Sequence, residues 1–379
     1  MKEAYIVTLY KGYNYGSTLQ CYSMQKVIKK LSINPYVIDI RNEGIGWEIR
    51  RIINNLKFYI SCQCFPERRV AFKGIVDNAK NANSAISDPT KAKIDGFIDE
   101  KINIKHCQYN ELKRRAKSDE CVACISGSDQ VWGTSVKYLN PVHFLTFAPE
   151  NKRYSYAASF GSSTIPQWFI KDIKKYLRSY RKISVRETSA LQILDGLGIK
   201  NGEVMVDSTL LLTAEEWTHV EKRPEGIKDD FEFIYFLNTP SSVAEEHIGR
   251  IREYDKKSTA CYTPFNNIHC PGNNVETISL SPEEFVWAIH HCKRLYTDSF
   301  HGVIFAVLFH KDFYVYQREY VGVADQSSRI RNILLHLNLS KQFVTEAQTV
   351  ALPDYSVTDA ILVKDREKSY SYLGEILSN

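Results

Sequence analysis

Short apolar runs alternate with apolar residues at helical spacing, and polar turns separate them along most of the chain. Residues 4–9 (AYIVTL) predict a first strand. A glycine-containing turn at 11–17 follows, then a helical face of Leu19, Tyr22, Ser23, Val27 and Leu31, then a second strand at 35–40 (PYVIDI). Residues 46–120 predict mostly polar helix, with basic islands at Arg68-Arg69 and Lys113-Arg114-Arg115. Strand signals return at 121–126, 153–159, 182–185 and 203–206, and each run hands over to polar residues. Residues 218–230 are charged and carry Pro and Gly, which marks a linker.

Beyond the linker the alternation resumes. It predicts a strand at 233–237, a helix at 242–257 and short strands at 260–262 and 277–280. Ser281-Pro282-Glu283-Glu284 then opens a helix with a capping box and Pro at its first position. Phe285, Ala288, Ile289 and Cys292 share one side of that helix. A strand at 295–297, a helix from Gly302, a strand at 313–316 and a last helix at 357–377 complete the pattern. Strand–helix alternation of this kind predicts α/β with parallel sheets. The expected fold is two doubly wound, Rossmann-like domains, 1–220 and 230–345, with a cleft between them and a helical segment at 346–379. That arrangement resembles GT-B glycosyltransferases. Ligands of such sheets bind at the C-terminal ends of the strands.

Composition narrows the function. The chain has 379 residues, enough for two domains, each with its own core. Apolar residues make up 44 % and charged residues 25 %, an ordinary globular balance. A net charge of +5 with near-equal acids and bases excludes a nucleic-acid binder. It suits an anionic small substrate and an anionic membrane surface equally. Nine cysteines, an odd number with several in apolar runs, predict reduced thiols in a cytoplasmic protein. Cys121 and Cys124 have a metal-like gap, but no second Cys/His pair follows at zinc-site distance, so no metal is expected. The start carries no secretory signal pattern, and no run reaches the roughly 20 apolar residues of a membrane span. The basic, aromatic stretch 55–69 reads as a buried helix with a solvated basic edge, with contact to anionic lipid as the rival reading.

Chemistry concentrates at the strand ends. Thr297-Asp298-Ser299-Phe300-His301-Gly302 places a histidine where a strand meets a helix. The first helical amides lack intrahelical acceptors and favour an anion, with Ser299 as cap and Gly302 permitting close approach. His301 can face that anion or a proton in transit; alternatively Asp298 or Ser299 merely caps and His301 packs. Gly127-Ser128-Asp129-Gln130 has the same logic, with Asp129 as acceptor and Gln130 as donor, against a plain N-cap. Neither a P-loop nor GxGxxG is present. Arg186, at the end of 183–185, suits a carboxylate or phosphate; the rival is a surface arginine paired to Glu187 or Asp207. Asn14-Tyr15-Gly16 and Ser159-Phe160-Gly161 are further small or polar turns.

In their order and spacing these turns resemble the polysaccharide pyruvyl transferases. The residues carrying the resemblance are 14–20 (NYGSTLQ), 127–132 (GSDQVW), 155–161 (SYAASFG), 183–187 (ISVRE), 206–211 (VDSTLL), 297–302 (TDSFHG) and 328–330 (SRI). The resemblance implies transfer of a pyruvyl group from phosphoenolpyruvate to a sugar of a polysaccharide or its lipid-linked precursor, as a ketal, with phosphate released. It implies no cofactor beyond that donor substrate. Its partners would be phosphoenolpyruvate and a sugar or glycolipid acceptor, with peripheral membrane contact open and the oligomeric state not legible. His301, Asp129 and Arg186 are the implied catalytic residues. Asn14, Tyr15, Gly16, Gly127, Ser128, Gln130, Ser159, Phe160, Glu187, Ser299, Phe300, Gly302 and Arg329 are the implied substrate contacts, with the acceptor on the first domain and the donor on the second. Some relatives carry Ser-x-Arg-x-His around the histidine. Ser299-Phe300-His301 lacks that arginine, and Arg329 and Lys311 are the candidates to replace it. The rival functions are a nucleotide-sugar glycosyltransferase of the same fold and a non-catalytic carbohydrate-binding protein.

Overall fold

The computed structural model describes residues 2–41, 45–74, 76, 86–254, 259–262, 275–318, 327–347 and 351–378. The first sheet has the order β3-β2-β1-β4-β5, formed by Glu3–Val7 (β1), Asn34–Ile40 (β2), Ile104–Cys107 (β3), Cys121–Ser126 (β4) and Arg153–Ser155 (β5). All four pairings are parallel. β4 (CVACIS) is buried at every position, which is why it reads as an unbroken apolar run. Beyond β5 the chain leaves regular pairing, and Ala158 bridges to Asp129 on one side and Val185 on the other. The layer thereby continues into a parallel pair, Ile183–Val185 (β6) and Gly202–Val204 (β7).

Helices connect these strands: Tyr15–Lys30 (α1), Ile45–Cys64 (α2), Asp88–Lys101 (α3), Tyr109–Lys117 (α4), Gln167–Leu177 (α5), Thr188–Gly196 (α6) and Ala214–Thr218 (α7). α1 begins four residues before the predicted helical face. Asn14 is its N-cap, accepting from the Ser17 amide at 3.2 Å, so Tyr15 and Gly16 form its first turn and are not a free loop. β3, a half-exposed edge strand, was absent from the predicted pattern.

The second domain is a six-stranded parallel sheet of order β10-β9-β8-β11-β12-β13. Its strands are Phe231–Tyr235 (β8), Thr259–Tyr262 (β9), Val275–Thr277 (β10), Arg294–Thr297 (β11), Asp312–Tyr316 (β12) and Phe343–Val344 (β13). Its helices are Ser242–Tyr254 (α8), Pro282–His291 (α9), Phe300–Leu308 (α10) and Ser328–His336 (α11). The predicted helix at 242–257 runs beyond α8 into 255–257, outside the described residues. The capping box at α9 forms as read: Ser281 Oγ accepts from the Glu284 amide, and Glu284 accepts from the Ser281 amide at 2.8 Å. β10 ends at Thr277, so the strand predicted at 277–280 falls mostly in the turn before α9.

The last helix, Ser356–Leu377 (α12), crosses back to the first domain. Tyr372 donates to the Ser155 carbonyl at 2.8 Å, Arg366 to Leu210 at 2.7 Å and Lys368 to Val204 at 2.9 Å. The two domains also share apolar core. Tyr15 stacks on Phe285 at 4.7 Å between ring centroids, and Trp217 meets Phe305 edge-on at 4.9 Å. The Tyr15 hydroxyl donates to Leu280. The structure therefore places Tyr15, expected as a substrate contact, in the interface between the domains. Tyr15→Phe is expected to cost about 1 kcal/mol in urea unfolding, one buried hydrogen bond, and to leave turnover unchanged.

Candidate active site

Three strand ends converge above this interface. After β4 the Gly127–Ser128 peptide is cis and Asp129 adopts φ +69°. Gly127, at φ +113°, has no room for a side chain: a Cβ would lie 2.2 Å from the Tyr156 carbonyl. The turn delivers Asp129 to the first turn of α1, where Ser17 Oγ donates to it at 2.7 Å. β6 ends at Arg186, whose Nη1 donates to Asp129 at 3.3 Å and to Asp207 at 3.0 Å. Its Nε lies 3.5 Å from Glu187. Arg186 is buried, so the surface ion pair weighed in the sequence reading is replaced by a buried four-group cluster.

Asp207, just past β7, is the most heavily bonded carboxylate there. Oδ1 accepts the Thr209 amide and hydroxyl at 3.0 and 2.8 Å. Oδ2 accepts Ser128 Oγ at 2.8 Å and Arg186 Nη1, and lies 3.7 Å from His301 Nε2. Glu187 is held by Ser159 Oγ at 2.6 Å.

His301 enters from the second domain on the first turn of α10. Ser299 caps that helix by accepting the Gly302 amide at 3.3 Å. The His301 ring lies against Gly16 so closely that a Cβ there would sit 2.0 Å from its Nδ1. The Phe300 ring packs edge-on to His301 and lies 4.3 Å from the Arg186 guanidinium. Phe300 thus shields the cation of the opposite domain. Among the described residues, His301 Nε2 and Arg186 Nη2 are buried polar atoms with no hydrogen-bond partner.

Burial would raise both aspartates, but Arg186 and His301 outweigh it and hold Asp129 below the usual carboxylate range. Asp207 is held lower still, against burial, by His301, Arg186 and the Thr209 amide. Burial works against the Arg186 cation, yet its three carboxylates keep its pKa above normal. Arg329 goes the other way. Burial first, then the neighbouring Arg186 and Arg318, bring it down to about 10. With its amide oxygen turned inward, Gln130 accepts from both Nη atoms of Arg329 at 2.6 and 2.9 Å.

The structure therefore gathers Asp129, Gln130, Arg186, Glu187, Phe300, His301 and Arg329, with Gly16, Gly127 and Ser128 shaping the backbone beneath. Other expected contacts do different work. Asn14 is spent on the α1 cap, and Ser159 on Glu187 and the Gly161 amide. Phe160 packs against Trp132 and also lines the cavity beside Gln130. The Ser299 hydroxyl is used by its own helix. At Gly302 a Cβ would lie 2.8 Å from Thr297 Oγ1, so its smallness lets α10 pack on β11 rather than clearing space for an anion. Asp298 does not cap either: it accepts the Leu237 and Asn238 amides at 2.7 and 3.0 Å. Lys311 precedes β12, at the end of the sheet opposite the site, and donates to the His290 carbonyl, so it supplies no cation here. Sequence reasoning named Asp207 only as a surface partner for Arg186, and passed over Ser17 and Arg318, whose Nε donates to the Asp298 carbonyl at 3.0 Å. Ser17 and Asp207 lay inside the quoted turns, and for Asp207 the position just past a strand was the available signal.

For metal ligation, one group among the described residues brings three ligand atoms together: Glu221, His290 and His291, within 4.8 Å. It lies on the linker and the C-terminal end of α9, away from this site.

Two parallel α/β domains thus pool buried arginines, carboxylates and a histidine at facing strand ends. The chain belongs to the polysaccharide pyruvyl transferase family, whose family model matches residues 14–320. No curated protein matches it in sequence. Among solved structures it is similar to a glycosyltransferase from Rickettsia africae (9 % identity, TM-score 0.49, covering 100 % of this chain and 99 % of that one). It is also similar to a putative UDP-N-acetylglucosamine 2-epimerase from Listeria monocytogenes (10 %, 0.48, 99 % and 91 %). At such identities and scores these neighbours carry no chemistry over to the chain.

Proposed function

We propose that this protein transfers a pyruvyl group from phosphoenolpyruvate to two hydroxyls of a sugar, forming a ketal and releasing phosphate. The observation that carries the reading is three arginines, Arg186, Arg318 and Arg329, all buried, where burial first and then repulsion from Arg186 and Arg318 work against the Arg329 cation. A polyanion relieves that repulsion, and phosphoenolpyruvate brings a phosphate and a carboxylate.

Two cavities flank the Gln130–Arg329 contact. One, of about 250 Å³, is lined by Arg186, Phe300, Arg329, Asn332 and Lys368 and suits the donor. The other, of about 330 Å³, is lined by Phe58, Phe72, Phe160, Trp168 and Gln130 and suits a sugar. In the proposed sequence His301 gives a proton to the donor's methylene carbon, and positive charge develops at C2. One sugar hydroxyl adds there, the C2–O bond to phosphate breaks, and a second hydroxyl closes the ketal. Each hydroxyl loses its proton as it adds. Asp207 faces the imidazole, with its Oδ2 3.7 Å from Nε2. Asp129, held ionised and already accepting from Ser17 and Arg186, is a weak base and serves to fix Arg186 and the acceptor.

Phosphate release from phosphoenolpyruvate in the presence of acceptor tests the reading. His301→Ala is expected to lower the rate by about 10²–10⁴-fold. Wild-type rates in that variant would remove His301 from the chemistry. A thermal shift with UDP that phosphoenolpyruvate does not produce would assign a nucleotide-sugar donor instead.

A further inference from the structure

α2 has two faces of opposite use. Phe58 points inward, buried, and lines both the 330 Å³ cavity and a neighbouring one of about 660 Å³. Ile52, Leu56, Tyr59 and Ile60 point outward, with Ile49 and Ile53, which also line the larger cavity, beside them; all six are 47–63 % exposed. At about 100° per residue these six fall within an arc of about 120°. Six of the thirteen large apolar side chains exposed among the described residues stand on this one helix, so scatter does not explain them. The helix predicted to be buried instead turns its apolar stripe to the outside.

The segment that carries the stripe is basic. Lys57 is exposed on α2, and Arg69 and Lys73 are exposed just beyond it. Residues 45–74 hold six basic and two acidic residues, a net +4 within a chain of net +5. Behind the stripe, Arg68 is buried among Phe58, Trp168 and Phe169, with its Nε lacking a partner. Self-association through this face would set the same basic segment against itself across a two-fold axis. An anionic lipid surface matches both the apolar arc and the basic segment that carries it.

We propose that α2 docks the protein on an anionic membrane surface. Resting on the function proposed above, this makes the acceptor a membrane-borne saccharide that reaches the aromatic cavity from beneath α2. The test is cosedimentation of the full chain with phosphatidylcholine vesicles with and without 30 % phosphatidylglycerol (an arbitrary but about physiological anionic fraction). The wild type is expected to bind only the anionic vesicles, and less as salt rises. Ile52→Glu/Leu56→Glu/Ile60→Glu is expected to abolish binding with unchanged circular dichroism and thermal midpoint, since all three side chains are exposed. Lys57→Gln/Arg69→Gln/Lys73→Gln is expected to weaken partitioning about a hundredfold. Wild type that ignores anionic vesicles, or a triple Glu variant that binds them equally, overturns the proposal. So does a wild-type dimer in light scattering that the triple Glu variant converts to monomer. Phosphate release with a soluble acceptor reads the catalytic proposal separately, because the α2 variants leave that site intact.

Discussion

Arg186→Met is expected to destabilise the protein by about 3–5 kcal/mol at pH 7, measured by urea unfolding, and to abolish turnover. The cost arises because Asp129, Asp207 and Glu187 stay behind, buried and negative, once their shared cation is gone. The defect depends on pH with a definite sign. In the wild type Asp129 and Asp207 are depressed in the folded state. They contribute stability that is present above the unfolded carboxylate pKa of about 4 and is lost as pH falls through the folded values. Without Arg186 that depression shrinks, so the gap between variant and wild type should narrow steadily below about pH 4. A gap that stayed constant from pH 7 to pH 3 would show that the cluster is not electrostatically linked. Arg186→Lys keeps the charge but not the planar fork spanning two carboxylates, and should fall between the two.

Gly16→Ala is the second large effect. The substitution would ordinarily favour a helix by up to about 1 kcal/mol. Here the new methyl would lie 2.0 Å from His301 Nδ1, and the imidazole is the group able to swing away. Turnover should fall about as far as in His301→Ala, by 10²–10⁴-fold, while the thermal midpoint changes little. The double variant Gly16→Ala/His301→Ala should be no slower than His301→Ala alone, because both substitutions remove the same ring from its place. Multiplying losses would mean that Gly16 acts on something other than His301.

The parts that could be read from sequence were those set by local chemistry. β4 is fully buried and reads as an apolar run, and Ser281 and Glu284 sit at the spacing that a capping box requires. β3 was missed because four half-exposed residues, IKHC, carry no periodicity. The start of α1 was misplaced because Asn-Tyr-Gly looks like a turn until Asn14 is seen to cap. The candidate site was legible as a set of strand ends but not as a network. Arg186, Asp129 and Asp207 lie on strands far apart in sequence, and nothing local announces that an arginine will be buried. α2 shows the same limit from the other side: spacing identifies an apolar face without saying whether protein or lipid meets it.

α12 carries a consequence for synthesis. Its contacts with Ser155, Val204 and Leu210 join segments about 160 to 220 residues apart. The segments made first therefore emerge from the ribosome with a docking groove still vacant, and that groove stays vacant until α12 is released. Its late filling leaves the packing of the first domain incomplete until then, and a nascent chain stalled before residue 356 leaves the surface that α12 covers around Tyr156 and Met205 uncovered.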